Sequence, residues 1–288
     1  MTSNLYTIET GSGNLPKVTL SAPDGASVEV YLHGATLTRW QTPDGSEQLY
    51  LSPNSFFEPE KPIRGGVPVC WPQFGARGPL PMMHGFARLY SWMFAGAMLT
   101  GDGRLMARFV KFADDATRAV WEHDFSLTLE VTLGGNTLEL ALQAANPSSQ
   151  PFEFGGALHT YFRVAEVAEA AVEGLQGAVY LGLPKGEERI TQDEPQVRFS
   201  GLVNRVYPGA PQMQVITEPG RRVQVSRTGF PDAVVWNIGA ELNPTMADLE
   251  PEGYRKYIGI EAAIVEKPVR LAPGQTWRGT QVIHAIAE

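Results

Sequence analysis

Residues 125–133, "FSLTLEVTL", alternate strictly: Leu127, Leu129, Val131 and Leu133 fall on one side of an extended chain, Thr128, Glu130 and Thr132 on the other. A period of two marks a strand with one buried face and does not suit a helix, whose apolar positions recur every three to four residues. After "GGN" the alternation resumes in "TLELALQA" with Leu138, Leu140 and Leu142. A glycine turn closing a hairpin is expected between the two.

The same pattern returns in "ASVEVYLHG", "LMARFVKF", "RRVQVSRTG" and "TWRGTQVIHAI", and no segment sustains four turns of helical periodicity. "PTMADL" is a short helix candidate, and "VAEVAEAAV" reads as helix or strand. Thirty glycines and 22 prolines spread without period favour many short elements joined by turns. No composition shift, Ser/Gly linker, charge block or repeat marks a boundary. The expectation is one all-β antiparallel sandwich or barrel over residues 1–288.

A net charge of -8 without any basic run excludes nucleic acid as a natural partner. "WMFAGAML", the most apolar stretch, is far short of the roughly 20 residues that span a bilayer, and the start lacks a basic flank leading into an apolar run, so no membrane association and a cytoplasmic location are expected. Cys70, the only cysteine, forms no intramolecular disulfide and sits in the apolar "VPVCWP", as an inert core thiol would. Neither HExxH nor a Cys/His cluster occurs, so no metal is expected. GxSxG, GxxxxGK[ST] and GxGxxG are missing too, which removes serine-hydrolase, P-loop and dinucleotide readings.

His33, His123 and His284 sit in strand patterns without partner charges and read as structural. His84 and His159 differ. His84 lies in "MHGFAR", four residues before Arg88, and His159 in "GGALHTYF", where glycines allow close backbone approach and aromatics supply flat walls. Glu261 sits in the apolar "IGIEAA", where a carboxylate either has a structural partner or is desolvated towards a general base. Arg64 in "PIRGGVP" and Arg88 carry forks suited to a phosphate, a carboxylate or a structural ion pair. Glu266 reads as a solvated turn residue, and Asp232 and Asp248 as locally bonded turn or cap residues.

Taken in order, "KPIRGGVPVCWPQFG", "HGFARLYSW", "LHTYFRV", "NRVYPG", "DAVVWN" and "IGIEAA" resemble the landmarks of the aldose 1-epimerase (galactose mutarotase-like) superfamily, and most closely its glucose-6-phosphate 1-epimerase branch, over residues 34–283. The resemblance implies a single-domain antiparallel β-supersandwich that interconverts anomers at C1 without a cofactor. Its small-molecule substrate would be a hexose phosphate, and the chain is expected to act as a monomer. It further implies His159 as general acid and Glu261 as general base. His84, Arg64, Arg88, Gln73, Asn204 and Trp236 would contact substrate, Arg88 at the phosphate. Two features depart from the pattern. "NRVY" carries Asn204 where the branch has Asp, exchanging a charge for an extra donor, and "WNIGAEL" lacks the usual proline after Trp236 and Asn237.

Overall fold

The computed structural model describes residues 5–182 and 188–287. The predicted hairpin forms: strands Ser126–Gly134 and Thr137–Ala145 pair antiparallel, with Leu133 opposite Leu138 and Gly134 opposite Thr137. Gly135 makes the turn at φ 57°, where a Cβ would be strained. This hairpin lies inside a nine-stranded antiparallel sheet, between Leu105–Phe112 on one side and Thr276–Ala287 on the other.

A second, eight-stranded sheet faces it. Its central strand, Tyr257–Leu271, is flanked by Asp232–Asn237 on one side and by Phe152–Leu158 and Tyr161–Arg163 on the other. A four-stranded meander runs Tyr6–Thr10, Pro16–Ser21, Ser27–Tyr31 and Thr36–Gln41. The main apolar cluster draws on all three sheets, from Val18 and Leu37 through Leu129 and Leu140 to Ile260 and Ile283. Alternation along Tyr257–Leu271 splits its side chains between two environments. Ile258, Ile260, Ala262 and Ile264 join that core, whereas Tyr257, Ala263 and Val265 belong to a smaller cluster with Cys70, Ala157, Tyr161 and Trp236. The second face carries the site.

The helical expectations are corrected. "PTMADL" is not a helix: Gly239–Leu242 is helical and Asn243–Thr245 forms a 3₁₀ turn, after which the chain leaves helical geometry. Asn243 sets this exit, donating to Glu250 O at 3.0 Å and accepting from Tyr254 N at 2.9 Å. "VAEVAEAAV" is a turn followed by the strand Ala171–Glu173. Asp115–Val120 is a helix that the periodicity did not announce, started by a capping box in which Asp114 and Thr117 bond each other's backbone N–H.

Candidate active site

Strand register builds the centre of the site. Leu158 pairs with Ala262 and Tyr161 with Gly259, so the same register continues across the break between them and sets His159 opposite Glu261, on one face. On the other flank Val234 opposes Glu261, Trp236 opposes Gly259, and Asn204 opposes Trp236. Five chain segments therefore aim at one patch. Gly259 lets its strand lie close to that of Trp236, since a Cβ there would come within 3.1 Å of Trp236 O and 3.3 Å of its Cβ.

His159 Nε2 lies 3.4 Å from Glu261 Oε1. His159 Nδ1 and Glu261 Oε2 are buried without a hydrogen-bond partner, a costly state that a bound polar ligand would relieve. Burial pushes the Glu261 carboxyl well above the usual carboxylate range, the charge of Arg88 opposing it. Burial, then His84, Arg88 and Arg64, hold His159 well below the usual histidine range. These two shifts favour neutral histidine beside protonated glutamate, where the resemblance implies an imidazolium and a carboxylate. Both descriptions hold one proton.

His84 arrives on a separate loop. Its backbone is left-handed at φ 64°, its N–H donates to Gly75 O at 2.8 Å, and its Nδ1 accepts from Gly75 N at 3.1 Å. The ring stands edge-on to Phe74 and His159, with centroids 4.9 and 5.3 Å away. Burial, reinforced by Arg88 and Arg64, lowers its pKa to about 3. Arg64 donates through Nε to Asp248 Oδ2 at 3.0 Å and through Nη1 to the Tyr161 hydroxyl at 3.1 Å. His159 stacks on Tyr161 at 4.9 Å and 11°.

These groups line a cavity of about 500 Å³ that includes Arg64, Phe74, Arg77, Met83, His84, His159, Asn204, Trp236, Met246 and Glu261. Its size suits a sugar-sized ligand. A hollow of similar volume near Gln48 and Arg221 is lined by acids that already have partners: Glu218 with Arg221, Glu250 with Tyr50 and Ser52, and Glu47 with Arg39. It lacks an acid–base pair. Among the described residues no three His, Cys, Asp or Glu side chains converge as a metal would require.

Of the predicted site residues, His159, Glu261, His84, Arg64, Asn204 and Trp236 share this cavity, and two do not line it. Gln73 is fully buried, its Nε2 donating to Gly75 O, Leu80 O and Met82 O and its Oε1 accepting from Leu80 N. It fastens a loop and, fully buried, presents no surface to the cavity. Arg88 donates through Nη2 to Met83 O at 3.0 Å, its Nε is buried without a partner, and its charge acts on Glu261 and His84 from off the lining. Beside Arg64 the lining carries a second arginine, Arg77, from "GARG" between the two motifs, which no sequence signal marked. Asp248 is the counter-ion of Arg64, 184 positions away, in place of a local cap. Asp232 is buried and accepts from Val265 N, Glu266 N and Gly209 N. Glu266 lies in the long strand and pairs with Arg189. His33, His123 and His284 lie elsewhere: His33 bonds Lys61 O, His123 packs on Trp121 and Phe152, and His284 bonds Thr137. Burial raises the Cys70 thiol to about 12, so it stays unreactive.

The aldose 1-epimerase family matches residues 16–284. A Cenchrus ciliaris protein named "Putative glucose-6-phosphate 1-epimerase" is 35% identical, over 97% of this chain and 87% of its own length. An Escherichia coli protein of the same name is 34% identical, over 84% and 83%. The crystal structure of a Salmonella typhimurium "putative mutarotase" superposes with a TM-score of 0.91 at 27% identity, covering 100% of this chain and 96% of that one. A galactose mutarotase related enzyme from Lactobacillus acidophilus shares the fold, with a TM-score of 0.74 at 15% identity over 98% of both chains. The family model over residues 16–284 and the relatives at 34–35% identity agree: the chain belongs to the aldose 1-epimerase family and is an isomerase, an epimerase of aldose sugars.

Proposed function

We propose that this protein interconverts the α and β anomers of a hexose 6-phosphate at C1 by general acid–base ring opening. The observation that carries the reading is the buried His159–Glu261 pair on the cavity lining, with His159 Nδ1 and Glu261 Oε2 left unpartnered. The names of the relatives at 34–35% identity support a phosphorylated substrate.

On binding, the sugar hydroxyls replace lost solvation, and the single proton of the pair moves to His159. Glu261 then takes the proton of the C1 hydroxyl while His159 gives its own to the ring oxygen. The bond between C1 and the ring oxygen breaks, and an open-chain aldehyde results. Rotation about C1–C2 and reclosure on the other face, with both protons returned, gives the second anomer and restores the pair. His84 holds a sugar oxygen: Gly75 N–H occupies Nδ1, so the neutral ring carries its proton on Nε2 and donates. Trp236 and Phe74 offer apolar faces to the ring.

Two-dimensional NMR exchange spectroscopy on glucose and glucose 6-phosphate tests this directly. Enzyme-dependent cross-peaks between the anomers of the 6-phosphate are expected, stronger than for the free hexose at equal concentration. His159→Ala and Glu261→Gln should each slow exchange by at least about 10²-fold with circular dichroism unchanged. Near-wild-type exchange in either variant would remove the pair from the mechanism.

A further inference from the structure

The cavity's ionic balance singles out one residue. Arg64 is committed to Asp248 and the Tyr161 hydroxyl, and Arg88 is not on the lining. Arg77 is on it, exposed to solvent, and no acidic side chain pairs with it among the described residues. An uncompensated cation facing the cavity of a chain with net charge -8 is a local attractor for an anion that the molecule as a whole repels.

The loop holding Arg77 is fixed at its base. Gln73 ties it at Gly75, Leu80 and Met82, Arg77 N donates to Phe74 O at 3.0 Å, and His84 N donates to Gly75 O. Gln73 thereby links the position of Arg77 to that of His84, a residue of the same cavity. The reacting carbon has to sit against the buried His159 and Glu261, where desolvation is strongest, so a dianion must occupy the solvated part of the cavity. An exposed guanidinium there binds phosphate through two parallel donors without stripping either partner of all its water.

We propose that Arg77 is the residue that recognises the phosphate, and so sets the preference for a phosphorylated over a free hexose. The assignment rests on the hexose-phosphate reading above. Two measurements separate their failures: steady-state anomer exchange on glucose 6-phosphate and glucose, and calorimetric titration with inorganic phosphate, each for the wild type, Arg77→Ala and Arg77→Lys. A hydrogen-bonded ion pair of this kind corresponds to about 10- to 100-fold in affinity. Arg77→Ala should raise KM for the 6-phosphate by that factor with kcat changed far less, and weaken inorganic phosphate to match. Arg77→Lys, keeping the charge without the fork, should recover part of the loss.

If Arg77→Ala keeps the wild-type KM for the 6-phosphate and the wild-type phosphate affinity, or if the wild type binds no inorganic phosphate, Arg77 is not the anion site. If phosphate binds through Arg77 but the wild type does not favour the 6-phosphate, the assignment of Arg77 stands and the substrate reading falls.

Discussion

His84 and His159 stand 5.3 Å apart between ring centroids, and their surroundings give them different work. The Gly75 amide fixes His84 as a neutral donor, and a pKa near 3 keeps it so throughout the physiological range. His159 faces the Glu261 carboxyl, and in the proposed mechanism the two share one proton, which has to be present once. Adding a second means protonating His159, whose pKa is depressed, and removing the only one means ionising Glu261, whose pKa is raised. Depression moves the acid limb below the ordinary histidine value of about 6.5, and elevation puts the alkaline limb above the ordinary carboxylate value of about 4.3. We predict that kcat/KM, which reports the free enzyme, shows no acid-side loss as the pH falls through 6.5 once the second ionisation of the substrate phosphate, near pH 6, is divided out. A corrected profile that drops by half as the pH is lowered through 6.5 would mean that His159 titrates as a solvated imidazole.

The loops that deliver His84 depend on a close backbone approach. Gly85 follows His84 at φ 67°, and a Cβ on it would lie 2.2 Å from Trp71 O. That carbonyl accepts from Phe86 N and Ala87 N, so it has no freedom to withdraw. Gly85→Ala is expected to cost about 1–3 kcal/mol from backbone strain alone and to displace His84, lowering exchange more than it lowers stability. Urea unfolding beside NMR exchange checks this, and a variant with wild-type midpoint and rate would show that the approach is not tight. Elements of this kind separate what a sequence reveals from what it hides. Strands such as Leu105–Phe112 were legible because one buried face forces alternation, Glu261 stood out because a carboxylate in an apolar strand is expensive, and His159 because glycines and aromatics flank it. Gln73 and Asp248 were not. Their roles follow from partners brought near by folding, Asp248 to Arg64 and Gln73 to its loop carbonyls, and no local pattern records such partners. The resemblance likewise implied Arg88 at the phosphate, whereas Arg88 bonds Met83 O and Arg77 lies on the cavity lining.

The two large sheets meet over an apolar core, yet a polar contact crosses it directly beneath the site. Thr160, adjacent to His159, donates through Oγ1 to Gln281 Oε1 at 2.6 Å, and Gln281 Nε2 donates to Ile260 O, next to Glu261. Both side chains are fully buried. Gln281 belongs to the strand Thr276–Ala287 of the opposite sheet, so this bridge sets where that sheet holds the two strand segments carrying the acid–base pair. Removing the Thr160 hydroxyl leaves Gln281 Oε1 without a donor among the described residues, a desolvated acceptor that costs about 1–3 kcal/mol. We predict that Thr160→Val, close in volume, loses stability in that range and also lowers kcat, because Glu261 and His159 are no longer held in register from behind. Thr160→Ser, which keeps the hydroxyl, should recover most of both. The combination of urea midpoints and exchange rates decides the point: a Thr160→Val protein with unchanged kcat would show that the geometry of the pair is set within its own sheet, and that the facing sheet contributes only apolar burial.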